Sequence, residues 1–295
     1  MRILLTGGSG FLGTHLLPLL ENHHVLVLGR RKADFPHANV SYLRCDLSNT
    51  ESWEKQVRDF HPNVGIHLAW TGLPDYSLSC CLENFNTSVR LFDVLTSAGC
   101  HTIFSAGTCW EYGDIVGQVS ETDLPGLISL YPSFKSGLHS IADTMAMERG
   151  VNFIWGRIFF VYGVGQRSTS LIPSCYLAMK NGAPPDVKHT GAVNDFIHIS
   201  DVTRAIHALV ETNGISGVFN IGSGTFWKVS EACQYVAQTL GAEALISDWE
   251  EVPAEKGFWS DVSLLKIKTG WEPRLSLQTG IEQTISEWKK LDGHS

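Results

Sequence analysis

Tyr131 and Lys135 stand four residues apart in a chain of 295 residues. On a helix that spacing puts a phenol and an ammonium group on one face. A neighbouring cation favours the phenolate and draws a tyrosine pKa down from about 10 toward the operating range. A tyrosine so placed exchanges a proton with a carbonyl or alcohol oxygen. Tyr-x-x-x-Lys alone is a weak signal, so the elements around the pair decide whether it meets a substrate.

Those elements alternate. Residues 2–6 read as a short buried strand, followed by a glycine turn and an apolar-periodic helix over 11–21. Further strands are expected at 25–28, 40–45, 64–69, 101–105 and 152–159, with helices at about 50–60 and 83–98. The Tyr131 helix follows the fifth strand. Continuous apolar strands alternating with amphipathic helices imply a parallel sheet covered on both faces. After about residue 163 the rhythm loosens, with short strands at 196–199 and 218–221 and helices near 170–181, 201–212, 229–240 and 277–291. The expectation is an α/β fold: a Rossmann-type doubly wound parallel sheet over 1–165, to which later segments return, and a smaller carboxy-terminal substrate lobe over 166–295.

The turn after the first strand reads Thr6-Gly7-Gly8-Ser9-Gly10-Phe11-Leu12-Gly13. Gly7 and Gly10 permit a tight turn and close approach of a pyrophosphate, and Gly13 permits close helix–strand packing. Amide groups at the start of the helix then face the phosphates. Gly7, Ser9, Gly10, Phe11, Leu12 and Gly13 are therefore dinucleotide-binding candidates. The second strand runs into Gly29-Arg30-Arg31-Lys32, with no acid to bind a ribose 2′-hydroxyl. Arginine matches phosphate geometry, so Arg30 and Arg31 predict NADP(H). Asp46 and Leu47, after the third strand, are placed to bracket the adenine; Leu68 and Ala69, after the fourth, pass the middle of the cofactor.

Composition bounds the alternatives. Charged residues are 18% and the formal net charge is −8, which argues against a dedicated nucleic-acid binder. Seven cysteines show no CxxC and are expected to be reduced, buried or half-buried thiols. Twelve histidines form neither HExxH nor a Cys/His cluster, so no catalytic metal is expected. No apolar run spans a membrane, and a strand at the very start leaves no room for a signal peptide. A soluble, cytoplasmic protein is expected.

The ordered set of motifs resembles the extended short-chain dehydrogenase/reductase family, in its branch acting on nucleotide-activated sugars. The set comprises Thr6 to Gly13, Asp46-Leu47, His67-Leu68-Ala69-Trp70, the segment from Ser105 to Gly113, and Tyr131 with Lys135. It continues through Arg157 to Gly163, Asp195 to Asp201, Asn220 to Gly224, and Gly270 to Pro273. The resemblance implies that Thr108, four residues before Tyr112, hydrogen-bonds the reacting oxygen. It makes Tyr131 the acid/base, and Lys135 both a pKa-lowering neighbour and a ligand of the nicotinamide ribose. It also implies a homodimer packed through two helices per subunit, here those near 84–98 and 132–148. A bland reading of Thr108 is a turn cap.

Some positions depart from the family pattern. Trp70 stands where a small residue is common and is expected either to shape the site or to pack in the core. Cys109-Trp110 replace the acidic pair of sugar 4,6-dehydratases, which argues against that reaction. Asn194 stands where relatives often place an arginine on the substrate pyrophosphate; Arg167, Lys188 or His189 are the candidates to supply that charge. Thr108, Arg167 and Asn194 are thus the substrate-side residues. The reading is an NADPH-dependent reductase of a nucleotide-linked keto-sugar, a 4-keto-6-deoxyhexose, since NADPH is the usual external reductant. An NAD(P)-dependent epimerase or dehydratase, a reductase of non-nucleotide ketones or aldehydes, and a non-catalytic dinucleotide sensor remain as rivals.

Overall fold

The computed structural model describes residues 1–32, 35–126, 128–249 and 253–293. The chain opens with β1 (Arg2–Thr6), α1 (Phe11–Leu16), β2 (His24–Gly29), β3 (Val40–Arg44), α2 (Glu54–Phe60), β4 (Val64–His67), α3 (Leu78–Ser97) and β5 (Thr102–Thr108). It continues through β6 (Gly117–Val119), α4 (Leu130–Arg149), β7 (Asn152–Ile158), β8 (Phe160–Tyr162), α5 (Leu171–Lys180), β9 (Val193–Asn194), β10 (Phe196–His198), α6 (Ile199–Glu211) and β11 (Gly217–Ile221). Last come β12 (Trp227–Lys228), α7 (Val229–Leu240), β13 (Gly257–Ser260), α8 (Ser263–Thr269) and α9 (Leu277–Asp292).

Seven parallel strands form the main sheet in the order β11-β7-β5-β4-β1-β2-β3. This is the doubly wound arrangement the alternation implied. Successive side chains serve opposite faces: Ile3 and Leu5 pack with Leu16, Val202 and Ile206, while Leu4 packs with Phe92, Leu95 and Leu138. Helices α1 and α6 therefore cover one face, and α2, α3 and α4 the other. The 218–221 strand extends this sheet, as β11 beside β7, rather than sitting in the small lobe. That lobe has its own core, where Tyr176 and Cys175 of α5 meet Cys233 of α7 and Ile281 of α9. All seven thiols are free, and they are buried except half-buried Cys80.

Several boundaries differ from the sequence expectation. The helix expected over 11–21 is α-helical only to Leu16 and becomes 3-10 over Leu17–Leu20. Pro18 has no amide hydrogen to continue the α pattern. Helix α3 begins earlier than 83, at Leu78, because Ser77 caps it by accepting from the Cys80 amide at 3.4 Å. Strand β5 runs on to Thr108, which places that residue at the carboxyl edge of the sheet.

A four-stranded sheet, β12-β9-β13-β6, joins the lobe to the segment after β5. Asp195, fully buried, is its knot. Its carboxylate accepts from Ser223 N (2.7 Å), Ser223 Oγ (2.6 Å), Gly224 N (3.2 Å), Ser260 N (3.0 Å) and Ser260 Oγ (2.5 Å). Burial raises its pKa, and those bonds pull it back. Asp195→Ala strands several buried donors and is expected to cost about 3 kcal/mol or more. Urea denaturation checks this; a change within 1 kcal/mol, about the net worth of one ordinary hydrogen bond, would show that the knot is dispensable.

Candidate active site

The glycine loop and the carboxyl ends of β1, β2, β3 and β4 enclose a cleft of about 320 Å³. Gly7, Ser9, Gly10, Arg30, Arg31, Asp46, Leu47, Leu68 and Ala69 all line it, together with His67 and Trp70. Gly7 takes φ +76°, and a Cβ there would lie 2.8 Å from Ala69 N and from Leu68 C. At Gly13 a Cβ would come within 2.2 Å of Gly7 O. The loop is thus packed without side chains, as a cradle for a pyrophosphate must be. Gly13 and Leu12 serve packing rather than the cleft wall; Phe11 meets His15 edge-on at 6.0 Å. Asp46 is held ionised below the usual carboxylate range by the Ser48 amide (3.0 Å) and hydroxyl (2.8 Å). The donor set and the empty-of-side-chain cradle fit a dinucleotide.

Beyond the cleft mouth a second recess, about 490 Å³, is lined by Arg30, Arg31, Lys32, Tyr42 and Arg44. Arg44 is not legible in the sequence as part of the basic group, because 12 residues lie between it and Arg31. Strand pairing brings it there, opposite Gly29.

At the inner end, His67 is buried between Thr6 and Ser88. Ser88 donates its only proton to Asn84 O (2.7 Å), so His67 Nε2 donates to Ser88 Oγ (2.9 Å). His67 Nδ1 then accepts from Thr6 Oγ1 (2.7 Å). Burial, and after it the charge of Lys135, pushes the His67 pKa down to about 3, so this relay stays neutral.

Trp70 connects the cleft to the catalytic candidates. Its ring lies edge-on to Tyr131 at 5.3 Å and under Lys135 Nζ at 4.0 Å. Tyr76 (5.0 Å) and Trp110 (5.9 Å) complete an aromatic collar on Tyr131. Both expectations for Trp70 are met: it lines the cleft beside Tyr131 and packs against the core under α3 and α4. Tyr76 and Trp110 were not singled out as neighbours, since their loops come together only in the fold. Lys135 Nζ donates to Ala106 O at 2.8 Å.

One sequence expectation is reversed. Lys135 does not draw the Tyr131 pKa down; burial in the collar raises it well above 10, with Tyr76 and Glu111 adding to the rise. Burial likewise lowers Lys135 from 10.5 to about 7, with Glu111 opposing. Desolvation outweighs the proximity of the two groups, and both favour their neutral forms.

Thr108 ends β5 and caps the short 3-10 helix Cys109–Tyr112, its hydroxyl oxygen accepting from Trp110 N at 3.3 Å. Its amide donates to Glu111 Oε1 (2.9 Å). Glu111 is wholly buried and also accepts from Trp155 Nε1 (3.0 Å) and Arg157 Nε (3.1 Å). Arg157 is buried too, stacked over Tyr112 at 4.5 Å from the ring centroid. Arg167 is exposed between β8 and α5, and Asn194 half-buried on β9 beside Trp227 and Phe258; neither lines the cleft. Lys188 and His189 are exposed.

The parallel sheet, the glycine cradle and the Tyr-Lys pair with a hydroxyl at the end of β5 define a dinucleotide-dependent enzyme of the extended short-chain dehydrogenase/reductase type. The family model described as NAD dependent epimerase/dehydratase family matches residues 3–222, and the chain belongs to that family. A curated relative is dTDP-4-dehydro-6-deoxyglucose reductase of Escherichia coli, 27% identical, the alignment covering 96% of each chain. Among solved structures, UDP-glucose 4-epimerase of Thermotoga maritima with UDP-glucose superposes with a TM-score of 0.86 at 26% identity, over 99% of each chain. MoeE5 in complex with UDP-glucose and NAD gives 0.84 at 27% identity, again over 99% of each. The curated relatives divide among reductases, epimerases and dehydratases. Among the described residues no helix is long and apolar enough to cross a membrane.

The Lys135 shift carries a stability consequence with a definite sign. Below about pH 7 the folded chain must hold a charged ammonium in a dehydrated site. Above it the folded group is neutral, while the unfolded one keeps its proton up to about 10.5. The unfolded state then binds more protons, so this group's contribution to stability rises with pH across that window. Lys135→Met is expected to flatten the rise seen by denaturant titration between pH 7 and about pH 9. An unchanged slope would contradict the buried, neutral lysine.

Proposed function

We propose that the chain is an NADPH-dependent reductase of a nucleotide-linked keto-sugar, a 4-keto-6-deoxyhexose in particular. The observation that carries the reading is the basic corner: Arg30, Arg31, Lys32 and Arg44 line one recess at the end of β2. Guanidinium groups there match a 2′-phosphate, the group that marks NADPH. NADPH, when bound, supplies the hydride. Tyr131 holds the proton for the carbonyl oxygen, and burial keeps that phenol protonated, as a donor in a reduction must be. Thr108 steadies the same oxygen through its hydroxyl. Because that hydroxyl accepts from Trp110 N, it is polarised toward donation. Lys135 orients the nicotinamide ribose.

The collar of Trp70, Tyr76 and Trp110 supports a substrate with apolar ring faces, because aromatic rings shed water and pack C–H groups. Cys109 and Trp110 carry no acid where dehydratases place their acidic pair, and the nearby Glu111 carboxylate is taken up by Thr108 N, Trp155 and Arg157, which disfavours dehydration. A homodimer is part of the proposal, supported by exposed Leu78 and Leu82 on α3 and Ile141 and Met147 on α4.

Tyr131→Phe is expected to keep NADPH affinity and to lose about 10²–10⁴-fold in turnover. The assay follows NADPH absorbance against a panel of nucleotide-linked 4-keto-sugars and free ketones. Near-normal turnover in the variant would sink Tyr131 as donor; activity confined to free ketones would replace the sugar-nucleotide reading. Replacing Arg30 and Arg31 by alanine is expected to weaken NADPH about 10–100-fold more than NADH, the worth of one or two charge-assisted hydrogen bonds. Equal losses in a fluorescence titration would remove the 2′-phosphate assignment and favour an NAD-recycling epimerase.

A further inference from the structure

We propose that His23, His207 and Glu211 form a binding site for a divalent late first-row cation of the zinc class, remote from the active site. Their donor atoms all lie within 4.8 Å of one another. His207 and Glu211 are one helical turn apart on α6, and His23 comes from the turn before β2. The sequence spacing conceals the site, since 184 positions separate His23 from His207.

The chemistry of the set selects the ion. Two imidazoles and one carboxylate suit zinc and its neighbours, whereas magnesium and calcium prefer oxygen alone. Bonds of about 2.0–2.2 Å in a tetrahedral arrangement hold donors roughly 3.3 Å apart. His23 Nε2 and Glu211 Oε1, at 2.9 Å, are already near that separation. Three protein donors leave a fourth position for water. The ligands are reachable from solvent but anchored: the His23 side chain is 14% exposed and that of Glu211 37%.

The end of α6 favours a cation, against the Met1 ammonium that faces His23 from its other side. Glu211 ends α6, where the helix dipole presents its negative pole, and no basic residue lies in the last turn. A carboxylate at that pole is repelled unless a positive charge joins it. The second nitrogen of His23 is engaged as well, since Nδ1 faces the Met1 amino group at 3.3 Å. Binding exchanges the Nε2 proton, now shared with Glu211, for a metal–nitrogen bond. That proton passes to Nδ1 by way of solvent, so the ring binds the ion as a neutral imidazole.

The position makes the site structural. His23 precedes β2 at the edge of the sheet opposite the glycine loop, about 17–20 Å from the chemistry at 3.3 Å per residue. An ion there would tie the end of α6 to the amino-terminal edge of β2.

The test uses the full chain, stripped with chelator, and titrated with cobalt(II) and zinc(II). One equivalent is expected to bind, with a cobalt spectrum free of thiolate charge-transfer bands and a melting temperature that rises with ion concentration. His207→Ala and the surface change Glu211→Gln are each expected to weaken binding at least about tenfold, since even outer-shell partners are worth 10–100-fold. Activity of the metal-free Glu211→Gln protein should match the parent. No saturable binding, binding untouched by both variants, or a thiolate band placing the ion on cysteines would each overturn the proposal.

Discussion

The carboxylate of Glu111 is sealed from water, and the carboxyl end of the sheet is arranged around it. It takes the amide of Thr108, the indole N–H of Trp155 and the guanidinium of Arg157, and so clamps the end of β5 to β7. Gly107 makes the clamp possible, since a Cβ there would lie 2.3 Å from Trp155 Nε1 and 2.8 Å from Glu111 Oε1. Burying such a pair is costly, and removing either partner would leave an uncompensated charge. Arg157 then carries the constraint outward through the Tyr112 ring. Tyr112 donates to Asn220 Oδ1 at 2.7 Å on β11, an edge strand of the sheet. The position of Thr108 is thereby referred to the whole carboxyl edge rather than to one turn.

The same scarcity of water sets the proton inventory. Proximity of a lysine to a tyrosine argues for a phenolate, while burial argues for neutral groups and is the stronger effect where water is excluded. Here burial wins at both residues, because the rings of Trp70, Tyr76 and Trp110 replace solvent around them. The neutral relay through Thr6, His67 and Ser88 follows the same rule, fixing the floor of the cleft without placing a second charge beside Lys135.

Local physics made much of this legible in the residues alone. Glycines three apart after a buried strand specify a loop without side chains, and continuous apolar runs alternating with helices specify a covered parallel sheet. Tyr131 and Lys135 share a face by helical period. The two- to four-residue strands β6, β9, β12 and β13 were not legible, because so short a run has no period. Nor was the 3-10 ending of the first helix, although Pro18 signals it.

Contacts over long separations were decided by tertiary structure. Strand pairing brings Arg44 to Arg30 and Arg31, and the carboxyl edge gathers Tyr76 and Trp110 around Tyr131. Burial, a property of the assembled fold, reversed the direction of the Tyr131 shift. The sequence by itself determined which groups are present and which share a local face. Only the fold decided which of them lose water together, and desolvation is what sets their charge and their chemistry.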